Sequence, residues 1–240
     1  MITTAFGRGG RIPFAPVTHC RLVRRVKALQ ECFLYAIVDL GYVEPARAAE
    51  VAHHLIQGGA DLIQLRAKSV PKAEVAALGR DLHAVTRSAG VPLILNDHPD
   101  LLAELEAEGC HVGQEDASVA DARRQAGREC IVGKSTHSPE QAVRAFQEGA
   151  DYIGFGPIFA TPTKPEAKAI GLSDLPAVSS AVNIPVFCIG GIKLSNLNEV
   201  LAAGADRVCI VSDLLQAANV LEKARSIKAV LRSAAIGGGG

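Results

Sequence analysis

Short apolar runs recur along this chain, separated by longer stretches in which apolar positions return at helical spacing. The runs lie at 33–39, 61–66, 92–95, 110–113, 130–133, 151–155, 185–189 and 207–211, and their length and β-branched content predict strands. The intervening pattern predicts helices, for example over 45–57, 72–88, 139–148 and 194–203. A weak internal repeat punctuates this alternation. Gly59-Ala60-Asp61, Gly149-Ala150-Asp151 and Gly204-Ala205-Asp206 each stand between a helical pattern and a strand run, with Glu108-Gly109-Cys110 as a degraded fourth copy. Glycine there suits a left-handed helix stop. Val91-Pro92 and Ile184-Pro185 open two of the other runs, where proline forfeits no ladder bond the sheet requires.

Strand–helix units of about thirty residues, eight in all, predict the α/β class and a single (βα)8 barrel. An open doubly wound sheet is the competitor. It explains the repeats less well, and no strand run is followed by GxGxxG. Apolar residues make up 48% of the 240 residues and aromatics only 4%, so the core is expected to be Val, Ile, Leu and Ala, as parallel strands under helices require. The domain reading is a basic extension over 1–30, a catalytic barrel over 31–235 and a glycine tail over 236–240.

Charge adds a constraint. With 25 basic and 25 acidic residues the net charge is zero, which argues against a general nucleic-acid or membrane surface and leaves any anion site local. No secretory h-region or spanning stretch is present. The six cysteines form no CxxC pair and four lie in apolar runs, so they read as small buried hydrophobes in a reducing cytoplasm.

The candidate chemistry falls at the C-terminal ends of the strand runs, where barrel active sites lie. Gln64, Arg66 and Lys68 alternate to one side at the end of the second run. Arginine and lysine are costly inside a barrel without a partner, so they point to an anion. Asn96-Asp97 ends the third run and Asp116 follows the fourth. Each aspartate could cap a helix, but two neighbouring carboxylates with a phosphorylated substrate also suit Mg2+. Ser138 reads as a helix cap ahead of Pro139, which leaves Ser135 as the hydroxyl free to face substrate. His137 could act in acid–base chemistry or simply occupy the capping loop. The loop after the sixth run carries Thr161, Thr163 and Lys164, which could close over a phosphate. Gly190-Gly191 and Val211-Ser212 have the usual place of a barrel phosphate site. Two anion sites are therefore expected: a metal-assisted one near strands two to four, and a metal-free one near strands seven and eight.

At this point the sequence resembles thiamine-phosphate synthases, through QLRAK (64–68), ND (96–97), HVGQED (111–116), GKSTHS (133–138), DYIGFGPIFATPTK (151–164), IPVFCIGGI (184–192) and GADRVCIVS (204–212). The resemblance implies a barrel enzyme that joins hydroxymethylpyrimidine diphosphate to hydroxyethylthiazole phosphate, releasing pyrophosphate with Mg2+ as cofactor. It implies that Gln64, Arg66, Lys68, Asn96 and Lys164 hold the diphosphate substrate, that Asp97 and Asp116 bind the metal, and that Ser135 faces the reacting centre. Arg66, Lys68, Ser135 and Lys164 would be the catalytic set. Thr161, Thr163, Gly191, Val211 and Ser212 would receive the thiazole phosphate. The partners implied are these small molecules, with neither nucleic acid nor membrane. The alternatives are a thiazole tautomerase-like isomerase, which has no use for a diphosphate-bound metal, and a non-catalytic paralogue that binds thiamine precursors.

Overall fold

The computed structural model describes residues 26–68 and 70–237. Most of the basic extension, Cys20 and the last three glycines lie outside the described residues. Eight parallel strands close into a barrel in sequence order: β1 (Leu34–Asp39), β2 (Leu62–Arg66), β3 (Leu93–Asn96), β4 (Gly109–Val112), β5 (Ile131–Thr136), β6 (Tyr152–Phe155), β7 (Val186–Ile189) and β8 (Arg207–Ile210). β1 pairs with both β2 and β8, which completes the closure. The (βα)8 expectation holds, and the open-sheet alternative does not.

Helices cover the outside: α1 (Ala48–Gln57), α2 (Lys72–Ala89), α3 (Leu102–Leu105), α4 (Val119–Ala126), α5 (Pro139–Gln147), α6 (Leu175–Ala181), α7 (Leu197–Ala202), α8 (Ser212–Leu215) and α9 (Val220–Gly237). The expected helix over 194–203 shortens to α7 because Asn196 folds the chain ahead of it, its side chain accepting from Lys193 N at 2.7 Å. Outward strand residues such as Val38, Leu65, Leu95 and Ile153 pack with the helices, whereas Tyr35, Ile37, Leu62, Ile94, Tyr152, Phe187 and Cys209 fill the interior. Period-two alternation sorts side chains into these two cores.

The repeat has a physical basis. Gly59, Gly149 and Gly204 have φ of 102°, 84° and 100°, as a left-handed helix stop requires. In two of the three copies the aspartate that follows hooks the start of the preceding strand: Asp61 accepts from Phe33 N and Leu34 N, and Asp151 from Val132 N. The degraded copy works differently. Glu106 takes the left-handed turn after α3, and Gly109 begins β4, where an added Cβ would lie 2.3 Å from Ile131 O.

β5 runs three residues beyond the expected end at 133, because Ser135 and Thr136 still pair with Gly154 and Phe155. Polar Lys134, Ser135 and Thr136 hide that strand in the sequence. Lys134 is buried and turned outward, donating to Gly113 O at 2.8 Å and Ala117 O at 3.2 Å. At the opposite end, the turn Leu29–Glu31 closes the barrel floor, and Lys27 and Lys228 both reach the buried Asp61.

Candidate active site

Strand tips and loops at the C-terminal end of the barrel enclose a cavity of about 290 Å3. Gln64, Arg66, Asn96, Ser135, Thr161, Thr163, Lys164, Gly191, Val211 and Ser212 all line it. Lys68, Asp97 and Asp116 do not; they form a cluster at its rim, where Lys68 Nζ lies 3.4 Å from Asp97 Oδ2.

Arg66 avoids the cost of an unpaired interior charge because Asp39, its register partner on β1, is buried beside it. Arg66 Nη1 donates to Asp39 Oδ2 at 2.6 Å. Asp39 Oδ1 also accepts from Gly41 N at 2.9 Å, so one carboxylate fixes both the arginine and the β1 loop. Lys164 comes from the loop after β6 and reaches the same mouth. Although Lys164 is exposed as a residue, its ammonium is held below the ordinary lysine pKa by desolvation first, then by the charges of Lys68 and Arg66.

Neither rim aspartate caps a helix. His98 occupies the N-cap position before Pro99, and Ser118 caps α4 through its side chain. Asp97 instead adopts φ 62°, a left-handed conformation that costs a non-glycine residue about 1–2 kcal/mol, while its N–H donates to His111 O at 3.0 Å. Asp116 Oδ2 accepts from Gly113 N at 2.7 Å. The two carboxyl groups are neighbours close enough for each to shift the pKa of the other. Burial, followed by the charge of Asp116, pushes the Asp97 pKa up; Lys68 only partly offsets this. Burial would also raise Asp116, but the bond from Gly113 N and its neighbours outweigh it, and its pKa is lowered.

This donor set fits a hard divalent cation. Among the described residues no group of three or more His, Cys, Asp or Glu converges into a cage. Two adjacent carboxylates are what Mg2+ uses when phosphate oxygens and water complete its shell.

Four interior side chains escaped the sequence reading: Tyr35, Asp39, His111 and Tyr152. His111 is the polar residue of β4 that faces inward, with Nε2 2.9 Å from Ser135 Oγ and Nδ1 3.1 Å from the Tyr152 hydroxyl. Burial first, then the charges of Lys164 and Lys134, lowers its pKa to about 3. His137 also lines the cavity; its N–H donates to Gln141 Oε1, and its ring contacts Gly156 O. Ser138 caps α5, accepting from Gln141 N at 3.3 Å.

On the far side, the β6 and β7 loops pack backbone to backbone. Phe159 N donates to Gly190 O at 3.0 Å. Gly191 has φ 63°, and a Cβ on it would meet Ala160 O at 2.6 Å, so the protein's own loop already requires the bare glycine. The Tyr42 hydroxyl ties down Thr163 Oγ1 at 3.0 Å.

Comparison with known proteins points to one family. The model of the family described as thiamine monophosphate synthase matches residues 34–214. The thiamine-phosphate synthase of Chloroflexus aurantiacus is 42% identical over 199 residues, covering 82% of this chain and 92% of that protein. The Thermus thermophilus thiamine-phosphate synthase is 45% identical over 175 residues, covering 72% and 84%. Among solved structures, thiamine phosphate pyrophosphorylase from Pyrococcus furiosus superposes with a TM-score of 0.77 at 32% identity, covering 85% of this chain and 96% of that one.

Proposed function

This chain belongs to the thiamine monophosphate synthase family, and we propose that its barrel mouth joins hydroxymethylpyrimidine diphosphate to hydroxyethylthiazole phosphate, releasing pyrophosphate. The observation that carries the reading is the meeting of Asp97 and Asp116 beside Lys68, Arg66 and Lys164. Carboxylates forced together in that setting, one of them in a strained conformation, suit a cation and a polyanion and little else.

In this scheme the methylene C–O bond breaks and its electron pair stays on the departing diphosphate. The pyrimidine ring stabilises the methylene cation, and the thiazole nitrogen lone pair then forms the new C–N bond. Arg66, Lys68 and Lys164 offset the charge that grows on the leaving oxygens. Asn96 and Gln64 hold the pyrimidine substrate, and Ser135 faces the reacting centre. Asp97 and Asp116 would hold Mg2+, which when bound would further neutralise the diphosphate. Thr161, Thr163 and the backbone at Gly191, Val211 and Ser212 receive the thiazole phosphate. No protein nucleophile is needed.

No helix among the described residues is long and apolar enough to cross a membrane. A cytoplasmic setting suits the free cysteines Cys32, Cys110, Cys130, Cys188 and Cys209. The test is incubation of the purified protein with both phosphorylated substrates, with and without Mg2+. Equimolar thiamine phosphate and pyrophosphate, formed only with the metal, is expected. Metal-independent isomerisation of the thiazole, or binding of both substrates without product, would replace the synthase reading with one of its rivals.

A further inference from the structure

A continuous run of hydrogen bonds crosses the barrel interior beneath the cavity. Gln64 Nε2 donates to the Tyr35 hydroxyl at 2.5 Å, and the Tyr35 and Tyr152 hydroxyls meet at 2.9 Å. Tyr152 then reaches His111 Nδ1 at 3.1 Å, and His111 Nε2 reaches Ser135 Oγ at 2.9 Å. Each hydroxyl has one proton and a neutral imidazole has one N–H, and among the described residues the Tyr35 hydroxyl meets no acceptor other than Tyr152, so satisfying every group fixes the direction throughout.

We propose that Tyr35, Tyr152 and His111 are positioning residues that hold this chain in a single direction, so that Ser135 presents its hydroxyl hydrogen to the departing diphosphate. Tyr35 accepts from Gln64, which commits its own proton to Tyr152. Tyr152 must then donate to His111 Nδ1. His111 therefore carries its proton on Nε2 and gives it to Ser135 Oγ. Among the described residues Ser135 Oγ has no other hydrogen-bond partner, which leaves its hydrogen for the cavity. Among the described residues no carboxylate hydrogen-bonds to the imidazole to favour a doubly protonated ring.

The fold makes room for the arrangement. Gly133 is the register partner of Tyr152, and a Cβ there would lie 2.1 Å from the tyrosine ring. Tyr35, Tyr152 and Phe187 also pack edge to face, with centroids 5.3–5.7 Å apart, so the two phenols have little freedom to turn away. The same chain fixes which face of the Gln64 amide is turned from the substrate. What Ser135 meets rests on the synthase reading; the direction of the chain does not.

Nitrogen-15 NMR of the ligand-free full chain, labelled at histidine, reads the direction. The His111 signals are identified by their loss in His111→Asn. A neutral ring with its proton on Nε2 is expected, and a proton on Nδ1 or on both nitrogens overturns the proposal. Tyr152 does not line the cavity, so Tyr152→Phe removes only the relay. It should give mixed His111 tautomers and lower kcat about tenfold, the scale of one misdirected hydrogen bond, with both KM values within about twofold. An unchanged tautomer with unchanged kcat also overturns it. Should that variant fail to fold, the wild-type spectrum decides alone. Should the protein lack synthase activity, the spectrum still reports the chain's direction and only the proposed role is lost.

Discussion

Asp39 and Arg66 sit opposite one another in the β1–β2 ladder, and the arginine that faces the cavity is aimed by that carboxylate at 2.6 Å. Arg66→Ala should lower turnover by about 10²–10³, the usual loss when one donor to developing charge is removed. Asp39→Asn keeps an oxygen for Gly41 N but loosens the arginine, and its smaller loss should appear in kcat more than in KM. Steady-state kinetics of both variants checks the order of the two effects.

Asp97 is a liability in the metal-free protein. Its carboxyl is half-buried, faces Asp116 and has a raised pKa, so the ionised form is disfavoured there. Asparagine tolerates the left-handed backbone. Asp97→Asn should therefore raise Tm by a few degrees without divalent cation, the response of a domain this size to about 1 kcal/mol. Added Mg2+ with pyrophosphate should stabilise the wild type more than the variant. Thermal melts under the two conditions provide the check.

His111 links stability to pH. Its ordinary pKa of 6.5 falls to about 3 in the fold, so below pH 6.5 the unfolded chain takes up a proton that the folded one refuses. The stability contributed by the neutral ring is present above 6.5 and drains away as pH falls towards 3. Urea unfolding between pH 7 and 4 should show a steeper decline for the wild type than for His111→Asn.

Asp61 is a stability residue remote from the chemistry. Burial alone would raise its pKa, yet bonds from Leu34 N, Lys228, Lys27 and Phe33 N outweigh that and lower it. Its contribution is therefore present above the ordinary value of 3.8 and is lost as pH falls below that value. Asp61→Ala strips the partner from the buried Lys228 ammonium and should cost about 3–5 kcal/mol. Denaturant midpoints should shift accordingly, with KM for both substrates unchanged.

The strands were legible because parallel strands with both faces covered read as unbroken apolar runs, and the Gly-Ala-Asp copies marked where helices end. β5 was cut short because Lys134, Ser135 and Thr136 read as a loop, although Lys134 is satisfied by two carbonyls on the outer face. The charged residues that gather at the cavity and its rim were legible from their place at strand ends. Tyr35 and Tyr152 were not, since an aromatic in an apolar run resembles core, which both also are. The available signal was parity: Tyr35 and Asp39 share the inward phase of β1, and His111 is a polar residue at the inward phase of β4. The reason for Gly191 was only half visible, because the neighbour that excludes its Cβ is Ala160, distant in sequence.

Everything proposed for the diphosphate half of the reaction depends on one cation shared by Asp97 and Asp116. Mn2+ can stand in for Mg2+, and its binding in the presence of pyrophosphate can be titrated by electron paramagnetic resonance on the wild type, Asp97→Asn and Asp116→Asn. The expected result is saturable binding of Mn2+ by the wild type and at least a tenfold weaker affinity in each variant, on the order of 1.4 kcal/mol per lost ligand. Equal affinity in all three proteins would contradict the account.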